Sequence, residues 1–316
     1  MKLSDLYVTA LAGGTGGAKL VDGLAQVLQP DHLTIIVNTA DDFVHFGLRI
    51  SPDLDTVCYT LAGVANPETG WGRINETWHV YERLREMGMP DWFQLGDSDL
   101  ATHLVRSIRM SEGRTLSQIT QDFCRMWGIN VKVLPMSDEV IQTRVYTNEG
   151  DLEFQEYFVH RQCRPKVKGF NFDGVEKSKP AAGVMEAIDR CDVVIICPSN
   201  PWVSIDPILS IPNVKANVDN HFVLAVSPII GSKTIKGPAA KMFMELGFQP
   251  SALSVAQHYE NVIDGLVINN SDIALEKEIN ELGIRTFITD ILMRDRLDRY
   301  RLAKEIIEYI YTQMRG

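Results

Sequence analysis

Short apolar runs that stop at glycine- or asparagine-rich loops alternate along this chain with stretches whose apolar residues recur every three or four positions. Residues 7–12 are a compact apolar run that ends in Gly13-Gly14-Thr15-Gly16-Gly17. Leu20, Val21, Leu24 and Leu28 then repeat at helical spacing through 18–28. A second run at 33–37 ends in Asn38-Thr39-Ala40-Asp41-Asp42. A strand, a glycine loop, a helix and a second buried strand are the opening of a doubly wound parallel sheet. The rhythm then changes. Residues 76–87, 100–110 and 116–127 are helical in pattern, with Gly88, Gly113 and Gly128 near their ends and no strand pattern between them. This predicts an α-helical insertion over about 66–128, set into a Rossmann-like core made of 1–65 and 129–316. Strand character returns at 131–134, and 140–147 with 152–159 alternate around Asn148-Glu149-Gly150 as a hairpin. The polar stretch 162–180 reads as a surface loop. Buried runs at 193–197, 222–226, 265–268 and 284–289 restore the strand–helix alternation, and an amphipathic helix over 294–314 closes the chain. The expected fold class is therefore α/β, with a mostly parallel sheet.

Ligands of such sheets sit beyond the carboxyl ends of the strands, and four strand ends here carry unusual loops. In the first, glycines let backbone amides approach a phosphate at a helix N-terminus, so Gly13, Gly14, Thr15, Gly16, Gly17 and Lys19 are candidate phosphate contacts. The loop lacks the Gly-Lys-Ser/Thr of a Walker A motif, and Lys19 stands where a dinucleotide fingerprint needs its third glycine. The second strand ends on Asn38 rather than on a ribose-binding acid, so a nicotinamide cofactor is not expected. Next come Asp41, Asp42, Asp53 and Asp55, four carboxylates within fifteen residues, a set able to hold Mg²⁺ against phosphate oxygens. Asp53 also reads as a helix N-cap, and Asp55 as a first-turn partner of the helix dipole. In the insertion, Gln94, Asp97, Ser98, Asp99 and His103 follow a run of aromatics, with Trp71, Trp78, Trp92 and Phe93 suited to a flat wall or to core packing; Asp97 or Ser98 also suits a helix cap. Ser199 and Asn200 lie between Pro198 and Pro201 after a buried strand, a rigid polar loop suited to a base or phosphate.

Charge narrows the partners. A net charge of -10 makes nucleic acid an unlikely main ligand, although a small anion needs only local donors. The five cysteines are scattered without a CxxC pair and read as buried reduced thiols. The apolar start meets glycines too soon for a signal peptide, and no run approaches about 20 apolar residues; a cytoplasmic protein with no membrane span is expected.

Taken in order, GGTGGAKLVDGL, NTADDFVHFGLRISPDLDTVCYTLAG, WGRINETW, LGDSDLATH, LPMSD, FQEYFV, CPSNPWVSIDPIL, AVSPIIG and KGPAAK resemble the 2-phospho-L-lactate transferase family of coenzyme F420 biosynthesis, from about residue 10 to 270. The resemblance implies a Mg²⁺-dependent enzyme that takes a guanosine diphosphate ester of lactate, enolpyruvate or glycerate. The phosphorylated acid passes to the terminal ribityl hydroxyl of the deazaflavin Fo, with release of GMP. It also implies a homodimer. By motif, Gly13–Gly17 face the diphosphate, and Ser199 and Asn200 help hold the guanine nucleotide. Asp41, Asp42 and Asp55 are metal ligands, Asp42 and Asp55 catalytic, and Asp55, Gln94 and Asp97 contacts for Fo. Gln94 stands where relatives often carry a basic residue, and Ser98 likewise replaces a charge. The alternative is a non-catalytic nucleotide-sugar-binding regulator of the gluconeogenesis-factor type, which shares the glycine loop and acidic pair but has a Gly-Ser-rich segment where this chain has FVHFGLRISPDLDT.

Overall fold

A computed structural model describes residues 5–231, 233–234 and 237–314; Lys236 of the KGPAAK motif lies outside them. Seven strands form one parallel sheet: β1 (Val8–Ala12), β2 (Leu33–Val37), β3 (Lys132–Pro135), β4 (Val193–Ile196), β5 (Phe222–Val226), β6 (Gly265–Asn269) and β7 (Arg285–Thr289), in spatial order β7-β6-β5-β4-β1-β2-β3. The chain winds outward from β1 to β3, returns to β4 beside β1, and winds outward again the other way. The reversal opens a crevice beyond the carboxyl ends of β1 and β4.

The central strands are mostly apolar because they are covered on both faces, and the Thr9 hydroxyl of β1 is satisfied by the Ala187 carbonyl. Val8, Ala10 and Ala12 of β1 pack into one layer, while Leu11 points into the other. Val193 and Ile195 of β4 join the first layer, Val194 and Ile196 the second. The first layer is built on α1 (Gly14–Val27), α2 (Pro52–Leu61) and the C-terminal helix Arg296–Gln313. Asp22 of α1, almost fully buried, binds Arg299 of that terminal helix at 3.1 Å, and a side chain on Gly23 would overlap the Arg299 carbonyl, so the two helices meet at close backbone approach.

Between β2 and β3 the chain forms a small hairpin, Phe43–His45 with Leu48–Ile50, then α2, α3 (His79–Glu86), α4 (Asp97–Ser111) and α5 (Leu116–Met126). Among the described residues, no strand of the large sheet falls in 76–127. The expected hairpin is present as Gln142–Thr147 paired with Gly150–Glu153, but two expectations around it fail. The second strand stops at Glu153, because the apolar residues beyond it wind into a π-helical turn, Glu156–His160, that buries Tyr157. The stretch 162–180 is not all loop: Val167–Asp173 pairs antiparallel with Gln142–Thr147. Its polar residues hid a strand that buries only Val167 fully. No helix of the described residues is long and apolar enough to cross a membrane.

Candidate active site

The crevice holds a cavity of about 560 Å³. Its lining includes Gly13, Gly14, Thr15, Gly16, Lys19, Asp41, Asp55, Gln94, Ser199 and Asn200, so loops far apart in sequence meet there, Gly13 and Ser199 being 186 residues apart. Gly17, Asp42 and Asp97 do not line it.

The glycine loop is built for close approach. Gly14 has φ 62°, a left-handed conformation that a side chain would strain. A Cβ on Gly16 would overlap the carbonyl oxygen of Pro198, and one on Gly17 would come within 2.8 Å of Ser199 Oγ. Helix α1 starts at Gly14 with no side chain on its N-cap Gly13 and no acidic residue in its first turn; Asp53 takes the Gly14 amide, and the next N–H groups of the turn lie at its positive end. The polar groups around the loop brace it. The amide of Gly13 donates to Ser199 Oγ (3.1 Å), which donates back to Gly13 O (2.8 Å). Thr15 Oγ1 donates to Gly70 O, and Lys19 Nζ to Met293 O. Asn200 accepts from the amide of Trp202 and caps the turn that follows. Ser199 and Asn200 thus border the cavity with their hydrogen bonds already engaged within the protein.

The carboxylates divide by environment. Asp41 is buried, Oδ1 has no hydrogen-bond partner, and burial, then the charges of Asp53 and Asp42, push its carboxyl well above the usual range. Burial also raises Asp42, which accepts a hydrogen bond from Ser51 Oγ at 2.6 Å and leaves Oδ1 unpartnered. Asp55 gives Oδ1 to Arg106 and keeps Oδ2 buried and unpartnered. Asp53 is not the cap of α2: Ser51 occupies that position, and Asp53 accepts from Asn38 Nδ2 at 3.0 Å. Burial pushes Asp53 up to about 6, against the hydrogen bonds of Asn38 and the Gly14 amide. Asp53 therefore borders the cavity beside the glycine loop, a placement its cap-like position in the sequence concealed.

Three buried carboxylate oxygens lack donors, and as hard oxygen ligands they suit Mg²⁺ better than a soft metal. Among the described residues, however, no three His, Cys, Asp or Glu side chains form a group able to hold a metal. Asp41, Asp42 and Asp55 are therefore not a complete cage, and the set fits a Mg²⁺ ion that takes one or two carboxylates and finishes its shell with substrate oxygens and water.

Asp97 and the cap of α4 also differ from expectation. Asp97 accepts from Thr77 Oγ1 (2.6 Å) and from the amides of His79 and Val80, which caps α3. Glu76 returns the arrangement by accepting from the amides of Ser98 and Asp99 at the start of α4. Trp71, Trp92 and Phe93 line the cavity together with Phe154 and Phe158, whereas Trp78 packs on Tyr81 instead. Trp92 and Phe93 also pack on Phe43, with ring centroids 6.0 and 4.8 Å away, so the wall is braced from behind. His103 is buried and lines the cavity, with Nε2 3.3 Å from Asp99 Oδ1 but outside hydrogen-bond geometry. Burial pushes the Asp99 carboxyl up, but His103 and the Tyr59 hydroxyl (2.7 Å) outweigh it and hold Asp99 below its usual value.

Sequence reasoning missed Arg106, which is entirely buried behind Asp55. A signal existed. Asp99, Thr102, His103 and Arg106 recur at i, i+3, i+4 and i+7, the face a helix normally fills with apolar residues, and all four are buried.

Residues 8–305 match the family model described as 2-phospho-L-lactate transferase CofD. The chain is 39% identical over 311 residues to the phosphoenolpyruvate transferase of Streptomyces griseus, covering 96% of this chain and 98% of that protein. It is 39% identical to the 2-phospho-L-lactate transferase of Methanosarcina acetivorans, over 94% of this chain and 97% of the relative. Among solved structures, a protein of the upf0052 family from Bacillus halodurans aligns with a TM-score of 0.62 over 95% of this chain and 98% of that one. At 16% identity this is a likeness of fold alone.

Proposed function

Since the chain belongs to the 2-phospho-L-lactate transferase CofD family, transferases of coenzyme F420 biosynthesis, we propose that it moves a phosphorylated three-carbon acid from a guanosine diphosphate ester to the ribityl hydroxyl of Fo and releases GMP. The observation that carries this reading is one cavity whose lining joins the glycine-rich start of α1, buried carboxylate oxygens without a protein partner and a braced aromatic wall. A diphosphate, a divalent cation and a flat tricycle ask for those three surfaces.

In this reading the Gly13–Gly17 loop receives the diphosphate at the positive end of α1 through the amides of Thr15 and Gly16, those of Gly13 and Gly14 being held by Ser199 and Asp53. Ser199 and Asn200 hold that loop in shape, and Lys19 stands one turn along the same helix. Of the three candidate ligands, Asp41 and Asp42 are the carboxylates that would hold Mg²⁺, which supplies charge neutralisation for the phosphoryl and leaving-group oxygens when bound, while Asp55, with Oδ1 on Arg106, keeps Oδ2 for the acceptor. Asp55 Oδ2 accepts a hydrogen bond from the attacking hydroxyl and takes its proton as the new O–P bond forms and the bond to GMP breaks. Trp71, Trp92 and Phe93 receive the deazaflavin ring, Gln94 lies at that wall, and the 66–128 segment serves as the insertion that supplies it. Asp97 contributes indirectly, by fixing α3 against α4. We also take a cytoplasmic homodimer from the family resemblance, to be checked by light scattering.

The test is mass spectrometry of the product made from Fo with the lactyl, enolpyruvyl and glyceryl guanosine diphosphate esters in turn. Production of the corresponding phosphodiester and GMP from one of them is the expected result. No product from any of the three, with Mg²⁺ present, would refute the proposal.

A further inference from the structure

Arg106 is among the largest fully buried side chains of the described residues, and it sits on α4 beside the cavity-lining Asp55 and His103. Nη2 binds Asp55 Oδ1. Nη1 donates to the carbonyl oxygen of Arg49 at 3.2 Å and faces His103 Nδ1 at 3.1 Å. The guanidinium lies 5.8 Å from the ring centroid of Phe123 on α5. One side chain thus joins α4, α2, α5 and the Leu48–Ile50 strand. Holding helices together does not require such a group, because the desolvation of a buried ion pair offsets most of its attraction and apolar packing does the same work.

The contacts point to another role. Arginine only donates, so His103 Nδ1, 3.1 Å from Nη1, must be the accepting nitrogen, and the ring proton belongs on Nε2. Nδ1 is also the ring nitrogen nearest Asp55 Oδ2, at 3.6 Å. Carrying a lone pair, it offers that oxygen no hydrogen bond. Arg106 therefore does two things at once: it takes Oδ1 and it disarms the neighbour that would otherwise occupy Oδ2. The result is a buried carboxylate oxygen, at the cavity wall, that the protein itself leaves without a partner.

We infer that Arg106 is a positioning residue that fixes the Asp55 carboxylate beside the cavity and leaves its buried Oδ2 without a protein partner, so that the acceptor hydroxyl is the group that completes it. The inference rests on the transfer reaction proposed above, but its first test does not. In full-length protein labelled with ¹⁵N-histidine, the His103 imidazole, assigned by its loss in His103→Gln, carries its proton on Nε2. In Arg106→Met that preference is lost. A wild-type Nδ1–H tautomer overturns the inference whatever the enzyme does.

The second test is kinetic, on Arg106→Lys, Arg106→Met, Asp55→Asn and the double variant Asp55→Asn/Arg106→Met. Arg106→Met lowers kcat for GMP release on the order of 10²-fold, the scale of a misplaced reacting group, while GDP affinity by calorimetry stays within about threefold of wild type. Arg106→Lys, which keeps the charge but not the fork, recovers most of that loss. The double variant is no slower than Asp55→Asn alone, because Arg106 acts through Asp55; being charge-balanced, it also serves if Arg106→Met does not fold. Wild-type turnover in Arg106→Met, or losses that multiply in the double variant, overturns the inference. A wild-type chain that releases no GMP refutes the reaction and leaves the tautomer result to stand on its own.

Discussion

Gly16→Ala tests whether the cavity depends on the close approach of two loops. Gly16 is the third residue of α1, and its backbone is not left-handed, so alanine there meets no conformational strain and favours the helix by about 1 kcal/mol. The obstacle is Pro198. The new Cβ would overlap that residue's carbonyl oxygen and stand 3.3 Å from its carbonyl carbon, and backbone cannot rotate away as a side chain can. The two loops must part by roughly 1 Å, which costs about 1–3 kcal/mol by analogy with overpacked cores. Set against the helix gain, the net loss of stability is roughly 0–2 kcal/mol, and the melting temperature falls by only a few degrees. Ligand binding suffers more. A shift of that size breaks one charge-assisted hydrogen bond from a loop amide to a phosphate, worth about 1.5–3 kcal/mol, so GDP should bind about ten- to a hundredfold more weakly. Isothermal calorimetry on Gly16→Ala measures this, with Gly169→Ala as control, since a Cβ at Gly169 meets only Tyr146 at an ordinary 3.7 Å. GDP affinity within threefold of wild type in Gly16→Ala would show that the glycine loop does not bind the diphosphate.

Asp42→Asn keeps an acceptor for Ser51 and removes a buried charge, so Mg²⁺-dependent GMP release should drop on the order of 10²–10³-fold with no loss of melting temperature. Asp55→Asn should lose activity and also about 3–5 kcal/mol of stability, because it strands the Arg106 guanidinium; differential scanning calorimetry separates the two variants. NADH should give no binding heat at concentrations where GDP saturates, since Asn38 at the end of β2 is tied to Asp53 and Val203 and presents no carboxylate to a ribose. Asp122→Asn should lower stability by about 1 kcal/mol at pH 7, because Arg114, then Arg125 and Arg109, hold the Asp122 carboxyl below its unfolded value of 3.8. Its contribution is present above that value and is lost as pH falls through the lower folded one, so wild-type and variant melting curves should converge in that range.

What was legible followed from burial. The inner strands of the large sheet are covered on both faces and stand out as short, mainly apolar runs, and the glycine loop announces itself because only glycine permits its approach to Pro198. Features set by tertiary partners were harder to read. Nothing local tells that Asp97 caps the helix before it while Glu76 caps the helix after it, since each acceptor lies about twenty residues from its donors. Asp53 looks like a cap because it follows Ser51 and Pro52, yet the site draws it toward Asn38. Val167–Asp173 lacked an apolar signature because one side of its small sheet is open to solvent. Arg106 needed the assumption that a charged helix face can be an inner face.

The central place of β1 has a consequence for how the protein is made. Its neighbour on one side, β2, follows within thirty residues, but its neighbour on the other, β4, begins at Val193. At roughly 5–20 residues per second, a ribosome that has released β1 takes on the order of 10–40 s to deliver β4 and the Ser199 hydroxyl that closes the glycine loop. For that interval the nascent chain carries an unpaired, largely apolar strand edge, the kind of surface that recruits chaperones or misassembles. Codon changes or truncations that delay residues 193–199 should therefore lower the yield of folded enzyme more than equal delays after β7, although they alter no contact in the finished molecule.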